Sequence, residues 1–209
     1  MTNVYHITHI NNLATIIEAG GLWCDAEVHN GRVPATGIAH QHIKERRRRR
    51  NVDICPGGNL SNYVPFYFAP RSPMLYSIYG GNVHTYHGGQ DCIIHLVAQV
   101  EDVVYRGLPF VFSDGHAEMT ISRFYNDLGH LNVIDWELME SNWWNDTQEY
   151  PDRKRRRQAE FLVHTFFPWD LITKIGVRLV KTQAQVQAII EQKNENHHPM
   201  VVQEQGWYY

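Results

Sequence analysis

The sequence predicts an α+β domain built around a mostly antiparallel sheet. Segments rich in β-forming residues and segments with helical spacing follow one another in mixed order, without the regular strand–helix alternation of a parallel α/β fold. Two late apolar segments, 159–167 and 175–180, are separated by a short turn, a spacing typical of a hairpin. With 209 residues, 43% of them hydrophobic, the chain is long enough for a single domain, 1–209, to bury a core.

The strands are predicted from short runs of β-branched and aromatic residues bounded by turn residues. They lie at 4–8, 63–69, 91–100, 110–112, 159–167, 175–180 and from 200 onwards. Pro65 interrupts the second of them. Because proline cannot donate to a β ladder, that strand is expected to lie at an edge of the sheet or to begin near Pro65.

The helices are predicted from apolar residues at intervals of three and four. They lie at 10–19, 38–50, 72–79, 117–128 and 182–192. Glycine pairs at 20–21 and 80–81 end the first and the third, and Asp114 is expected to cap the fourth. Two segments lack a period: 24–39 is predicted to be a loop, and 136–157 a long loop with some helix, a length that is usually functional.

The net charge of −3 conceals a strong asymmetry. Two basic runs, 46–50 and 153–157, hold ten of the nineteen Lys and Arg residues, and the remaining body is markedly acidic. Concentrated positive charge on an acidic body indicates one site for a polyanion, although two solvated basic loops would give the same pattern.

Cysteine usage and the N-terminal sequence indicate a protein of the cytoplasm. Cys24, Cys55 and Cys92 are odd in number and lack CxxC spacing, which indicates neither a disulfide framework nor a zinc site. The N-terminus resembles no secretory signal, and no apolar stretch is long enough to span a bilayer.

Three motifs carry the functional interpretation. The first is Tyr-His-Ile-Thr at 5–8, which leads into an Ile- and Leu-rich helix, and the second is Tyr-Val-Pro-Phe-Tyr-Phe-Ala-Pro-Arg-Ser-Pro-Met-Leu-Tyr at 63–76. The third is Gln-Ala-Glu-Phe-Leu-Val at 158–163, and Ser-Asp-Gly-His-Ala at 113–117 supports it. Together they resemble the PARP-like ADP-ribosyltransferases and, within them, the DarT family. Members often have an aspartate where this chain has Asn62, a departure that touches no catalytic position.

The resemblance implies an ADP-ribosyltransferase-like fold with a split β core. It also implies a toxin that transfers ADP-ribose from NAD to a base of single-stranded DNA, without a metal. The expected partners are single-stranded DNA and a separate DarG-like macrodomain antitoxin, with no membrane. Thymine is the expected acceptor. Guanine stays open, because Gln158-Ala159-Glu160 also fits the Gln-x-Glu pattern of arginine-, asparagine- or guanine-modifying relatives.

The same resemblance assigns the site residues. Glu160 is expected to hold the ribose 2′-hydroxyl and to stabilise the positive charge that develops on the sugar. The expected NAD-binding residues are His6, Thr8, Asn12, Tyr67, Arg71 and Tyr76, with Tyr76 stacked on the nicotinamide ring. One arginine of 46–50 should also enter the site, and Arg47 and Arg50 are the candidates. For several of these residues, above all His6 and Tyr67, ordinary core packing is the competing interpretation.

The DNA side is assigned from charge and aromatic content. Phosphate contacts are expected from cations, and base stacking from the aromatic loop before Glu160. The predicted DNA-binding residues are Arg46, His116, Trp144, Lys154, Arg155 and Gln158.

Three other functions stay open at this point: an NAD-dependent RNA 2′-phosphotransferase, a nucleic-acid-binding module with a decayed site, and a protein-modifying toxin. The phosphotransferase would not need Glu160.

Overall fold

A large sheet flanked by helices forms the protein in the computed structural model, which describes residues 1–31, 36–38, 41–193 and 196–209, the side chains of residues 41 and 42 excepted. The strands are β1 (Asn3–His9), β2 (Gly21–Trp23), β3 (Tyr63–Tyr67), β4 (Ile93–Gln99), β5 (Phe110–His116), β6 (Phe124–Tyr125), β7 (Ala159–His164), β8 (Phe166–Pro168), β9 (Lys174–Val177) and β10 (Met200–Gln203). The helices are α1 (Leu13–Glu18), α2 (Asp25–His29), α3 (Gln41–Arg49), α4 (Pro73–Tyr79), α5 (Val100–Tyr105), α6 (Trp136–Glu140), α7 (Arg153–Arg156) and α8 (Val180–Lys193).

The eight-stranded sheet has the order β10-β9-β4-β1-β3-β7-β5-β6, and β2 pairs with β8 in a small second sheet. Every pairing in the large sheet is antiparallel except that of β9 with β10. The α+β class with a mostly antiparallel sheet is therefore confirmed.

The core lies on both faces of the sheet. One cluster, which includes Phe66, Phe161 and Phe167, packs against α1, α5 and α8. Another, which includes Leu75 and Ile93, packs under α4 and the C-terminal residues. Because the core covers both faces of the sheet, β4 is buried from Ile93 to Ala98, and most of its residues are apolar.

The predicted loop at 24–39 is wrong for residues 25–29, which form α2. A helix of five residues is too short to show a period, and its acidic first turn, with Asp25 and Glu27, was the available signal. Residues 32–35 and 39 of that segment, and residues 194 and 195 in the predicted loop before β10, lie outside the described residues.

The helix predicted at 117–128 is also wrong, because β5 continues to His116 and β6 follows. Asp114 caps no helix. Its carboxylate accepts hydrogen bonds from the Arg123 amide at 3.1 Å and from the Arg155 guanidinium at 3.0 Å. These contacts hold residues 114–123 as an excursion of the sheet, which continues β5 to His116 and then turns through residues 117–121.

The predicted strand at 159–167 is two strands. Thr165, at φ 64°, interrupts the extended backbone, so β7 stays in the large sheet while β8 pairs with β2. The late hairpin is wrong as well, because β9 pairs with β4 and β10.

Pro65 lies in an interior strand, so its prediction as an edge residue is wrong in topology. The missing backbone donor of Pro65 nevertheless coincides with weak pairing on one side of its strand. The register of β1 with β3 consists of the pair Tyr5–Tyr67, while β3 pairs with β7 along five residues. The Pro65 carbonyl accepts a hydrogen bond from the His6 imidazole at 2.8 Å. The sheet is thus split between β1 and β3, and the candidate site lies at this split.

Candidate active site

A cavity of about 290 Å³ opens where β1 separates from β3. Helices α1, α2 and α3 contribute to its wall, together with β2, residues 36–38 and Met74 of α4. Of the predicted site residues, it is lined by His6, Thr8, Asn12, Arg47, Tyr67 and Glu160. Chain segments that are distant in sequence therefore converge on one cavity.

Glu160 and Arg47 form an ion pair at the cavity. Arg47 Nη1 donates to Glu160 Oε2 at 2.7 Å, and the two side chains are 15% and 5% exposed. Burial by itself lowers the pKa of the Arg47 guanidinium, but the Glu160 carboxylate more than offsets this and leaves that pKa above its ordinary value. Arg47 Nη2 is buried without a hydrogen-bond partner among the described residues. A buried donor left unpaired costs about 1–3 kcal/mol, so a ligand oxygen that reached this nitrogen would stabilise the site.

The backbone of Glu160 is fixed from both neighbouring strands. Glu160 is in register with Tyr67 of β3. On the other side, the register between β5 and β7 shifts between Phe112 and His116, and the Glu160 amide donates to Ser113 Oγ at 3.1 Å. Ser113 is fully buried and donates in turn to the Gly115 carbonyl at 2.6 Å. Bulges of this kind redirect side chains near active sites, and here Ser113 replaces the missing ladder bond. Ser113 was not among the predicted site residues, although it opens the Ser-Asp-Gly-His-Ala motif and a glycine such as Gly115 within a strand often marks a bulge.

Tyr67 lies beside the ion pair as a neutral phenol. Burial raises the pKa of Tyr67, the Glu160 carboxylate raises it further, and Arg47 opposes the shift. Its hydroxyl therefore keeps its proton throughout the physiological range and can donate to a ligand.

His6 is a neutral imidazole whose proton can be assigned to one ring nitrogen from its hydrogen bond. Burial lowers the pKa of His6, and the hydrogen bond to the Pro65 carbonyl offsets part of this effect. Because a carbonyl cannot donate, Nδ1 carries the proton, and Nε2 is left as an acceptor.

Asn12 connects Thr8 to the segment at residue 36. Its amide nitrogen donates to Thr8 Oγ1 and to the Thr36 carbonyl, both at 3.0 Å, and its carbonyl oxygen accepts from the Thr36 amide at 2.6 Å. This contact places the Thr36 segment against the cavity, which Thr36 also lines.

The cavity lining also includes a charged pair that the sequence did not indicate. Lys44 Nζ lies 2.9 Å from Asp25 Oδ1, and both residues line the cavity. Arg48 also reaches Asp25, at 3.6 Å. Because residues 24–39 were predicted to be a loop, α2, the helix that carries Asp25, was not predicted.

Arg50 does not approach Glu160. Its guanidinium donates to the carbonyls of Ala117 and Ser122, at 3.3 and 3.1 Å, and lies over the Phe124 ring. The arginine that the structure brings to the carboxylate is therefore Arg47, and a catalytic part for Arg50 stays a prediction.

The predicted DNA-binding residues divide into three groups. Arg46, on α3, pairs with Glu118 of the excursion, and His116, which belongs to the excursion, lies 3.9 Å from the same carboxylate. Arg155 contacts that excursion through Asp114. The side chain of Lys154 is exposed.

The remaining two, Gln158 and Trp144, make local contacts. Gln158 donates to the Lys154 carbonyl at 2.8 Å, and the Trp144 ring lies 5.6 Å from that of Tyr76. DNA contact by these six residues stays a prediction. Carboxylates neutralise several of the cations, so the basic runs are less available to a polyanion than their sequence indicates.

Two predicted NAD-binding residues, Arg71 and Tyr76, lie outside the cavity lining. Tyr76 is 47% exposed and belongs to an aromatic cluster with Tyr79, Trp144 and Tyr209. Arg71 lies over the Tyr209 ring, 4.4 Å from its centroid. The structure does not bring these two residues to Glu160, and their contact with NAD stays a prediction.

In the described part of the chain, no three side chains of the His, Cys, Asp or Glu type cluster as metal ligands would. None of the described helices has the length and apolar character needed to cross a membrane.

Comparison with known proteins gives consistent matches over the whole chain. The family model described as "ssDNA thymidine ADP-ribosyltransferase, DarT" matches residues 5–209. A DNA ADP-ribosyl transferase of Thermus sp. strain 2.9 is 44% identical over 209 residues, which cover 100% of this chain and 96% of the relative. The solved structure of Thermus sp. 2.9 DarT in complex with ADP-ribosylated ssDNA superposes with a TM-score of 0.93, at 44% identity over 100% of this chain and 96% of that one.

Two further matches extend the comparison. The same Thermus protein in complex with NAD+ superposes with a TM-score of 0.89, at 42% identity over 100% of this chain and 98% of that one. A fusion protein of Thermosipho africanus, a DNA ADP-ribosyl transferase joined to a DNA ADP-ribosyl glycohydrolase, is 27% identical over 163 residues, which are 77% of this chain and 38% of the fusion.

Proposed function

Since this chain belongs to the DarT family of single-stranded DNA thymidine ADP-ribosyltransferases, we propose that the cavity at the split between β1 and β3 is its active site, with Glu160 and Arg47 as catalytic residues. The chain is a DNA ADP-ribosyltransferase that takes NAD as donor and a thymine of single-stranded DNA as acceptor. The observation that supports this placement is the buried Arg47–Glu160 pair with its unpartnered Arg47 Nη2 at the cavity.

The cavity fits NAD in its chemistry. His6 Nε2 and the Tyr67 hydroxyl supply an acceptor and a donor for ribose hydroxyls or the carboxamide of nicotinamide. Ile7, Ile16 and Trp23 supply apolar wall for the flat rings. Lys44, which lines the cavity while paired with Asp25, is a cation that the pyrophosphate could bind by displacing that carboxylate.

Catalysis requires charge to be balanced on both reactants. The glycosidic bond of NAD breaks, and its electron pair leaves with nicotinamide. The new bond joins the ribose carbon to thymine N3, which loses its proton. Glu160 stabilises the positive charge that develops on the ribose and accepts that proton. Arg47 orients Glu160 and stabilises negative charge on the thymine imide. No metal is needed for these roles.

The acceptor side of the site lies along residues 113–122. Ser113 contacts the Glu160 backbone, while Arg46, His116 and Arg155 contact the residues after it. A thymine in a duplex is paired through its N3, so the strand must be single or the base flipped. We place the DNA strand on this side, with phosphates bound by the cations that are left exposed.

The chain acts as one domain, 1–209, in the cytoplasm, where NAD and chromosomal DNA are available. It acts as a toxin, and its natural partner is a separate antitoxin whose macrodomain removes the ADP-ribose. The Thermosipho fusion, in which a transferase and a glycohydrolase are joined, supports this pairing.

The test is incubation with NAD and single-stranded oligonucleotides that differ by one thymine, followed by mass spectrometry. The expected product is the thymine-containing strand with the mass of one ADP-ribose added. Glu160→Gln should abolish it, and Glu191→Gln, an exposed change on α8, should not. Modification of thymine-free strands, or transfer by Glu160→Gln, would contradict the proposal. Modification of RNA or protein alone would favour the other functions considered from the sequence.

A further inference from the structure

A second cavity, of about 540 Å³, has two arginines among its lining residues. Among its lining residues are Tyr5, Phe68, Arg71, Trp136, Asn142 and Arg157. The two cavities are lined by neighbouring residues, because Tyr67 and Glu160 line the first while Phe68 and Arg157 line the second. The Cα atoms of Arg157 and Glu160 are at most about 11 Å apart along an extended chain.

Arg157 is a buried cation without a counter-ion. It is 2% exposed, and within the described ranges no carboxylate lies at ion-pairing distance from it. Its Nη2 donates to the Arg71 carbonyl at 2.9 Å, Nη1 faces the Met139 sulfur at 3.5 Å, and Nε has no partner among the described residues. Burial lowers the pKa of Arg157 to about 10. A buried charge without a counter-ion is expensive, and one carbonyl and one sulfur contact offset only part of that cost.

Arg157 is an exception among its neighbours. Arg155 pairs with Asp114 and Asp152, and Arg156 pairs with Asp135 and Asp152. The arginine that is buried most deeply is therefore the one left without a carboxylate.

Arg71 adds a second unpaired positive charge to the same cavity. Its Nη1 donates to Asn142 Oδ1 at 2.5 Å, its guanidinium lies over the Tyr209 ring, and its Nε has no partner among the described residues. The carboxylate of Glu140 also lines the cavity, but it pairs with neither arginine within the described residues. Neither arginine of the cavity is thus neutralised by a carboxylate within the described residues, and Trp136, which also lines the cavity, offers a ring face or edge to a base.

Resting on the function proposed above, we infer that this second cavity binds a phosphodiester of the DNA strand next to the target thymine, through Arg71 and Arg157. Arginine is suited to phosphate because its planar fork donates two parallel hydrogen bonds. DNA is favoured over the pyrophosphate of NAD because neither arginine lines the cavity that contains Glu160. Such a contact positions the strand and carries no sequence information.

The test uses Asn142→Asp. The new carboxylate would pair with Arg71 within the same molecule and compete with the DNA phosphate for that guanidinium. Asn142 is exposed, so the change should leave the fold intact. Arg71→Gln removes the same charge directly and serves as the second variant. The matched control is Asn196→Asp, which adds the same charge at an exposed position that lines neither cavity.

Both variants should raise the KM for a single-stranded oligonucleotide about tenfold, and the slope of log KM against log salt should fall by about 0.7, the contribution of one phosphate on a single strand. Affinity for a fluorescent thymine-free strand should fall by the same factor. The rise in Tm caused by saturating NAD should stay unchanged. An unchanged DNA KM in both variants would overturn the inference, and so would a loss of the NAD-induced Tm rise, which would assign the cavity to NAD. Failure of the function proposed above would be seen separately, as absence of DNA modification by the wild-type protein.

Discussion

The buried pair of Arg47 and Glu160 predicts a strong energetic coupling that a double-mutant cycle can measure. Removal of one partner from a buried ion pair costs about 3–5 kcal/mol, mostly because the other charge stays buried alone. Arg47→Met leaves the Glu160 carboxylate, which is 5% exposed, without a counter-charge. We expect that variant to lose about 3 kcal/mol. Glu160→Gln should cost less, about 1–2 kcal/mol, because the amide oxygen still accepts from Arg47. The double variant buries no charge and should be within about 1 kcal/mol of the wild type.

The assay is urea unfolding of the four proteins without NAD, with DNA transfer measured in parallel. A loss of 3 kcal/mol corresponds to a Tm lower by about 6–12 °C in a protein of this size. Transfer should be lost in all three variants, and the double variant should be no worse than either single one, because the two groups act as a unit. Additive losses of stability, or an Arg47→Met protein as stable as the wild type, would refute the claim that the pair is buried and coupled.

Three further predictions follow from the contacts around the site and the core. Ser113→Ala leaves the buried Glu160 amide unpaired, so it should cost about 1–3 kcal/mol and lower kcat with little change in the KM for NAD. Gly115→Ala places a methyl group against the Arg155 guanidinium and carbonyl oxygen, and DNA affinity should fall in a binding titration while the NAD-induced Tm rise persists. Burial lowers the pKa of His95 to about 4, so between pH 6.5 and 4 the unfolded state binds more protons than the folded state. The free energy of unfolding should therefore fall by about 3 kcal/mol as the pH falls through this range. His95→Gln should flatten this pH dependence in denaturant titrations.

The sequence predicted the site best where one residue type stands alone in a motif. Glu160 and His6 have no equivalent neighbours, and the structure brings both to one cavity. The arginines at 46–50 differ from one another in nothing but position. Which of them faces the site depends on the rotation of α3, which tertiary contacts set through Asp25, Glu118 and Glu160. Such contacts join segments distant in sequence and leave no local pattern.

The same limit explains the elements that were predicted wrongly. Asp114 followed by a polar segment has the local character of a helix start, but Arg123 and Arg155 take its carboxylate and keep β5 extended. The sequence also could not show that Arg157 lacks a carboxylate partner. Its neighbours Arg155 and Arg156 have the same side chain, and they differ from it in that aspartates from other parts of the chain lie next to them.

The order of strands in the sheet has a consequence for the synthesis of the protein. β7, which carries Glu160, is inserted between β3 and β5, and β10 pairs with β9 near the end of the chain. A polypeptide that emerges from the ribosome N-terminus first therefore carries His6, Arg47 and Tyr67 long before their carboxylate partner exists, and long-range pairing of this kind forms late. Translation products that end before β7 lack Glu160 and are therefore expected to be inert. A cell that makes such an enzyme beside its own chromosome is exposed to it only when a ribosome has completed most of the message.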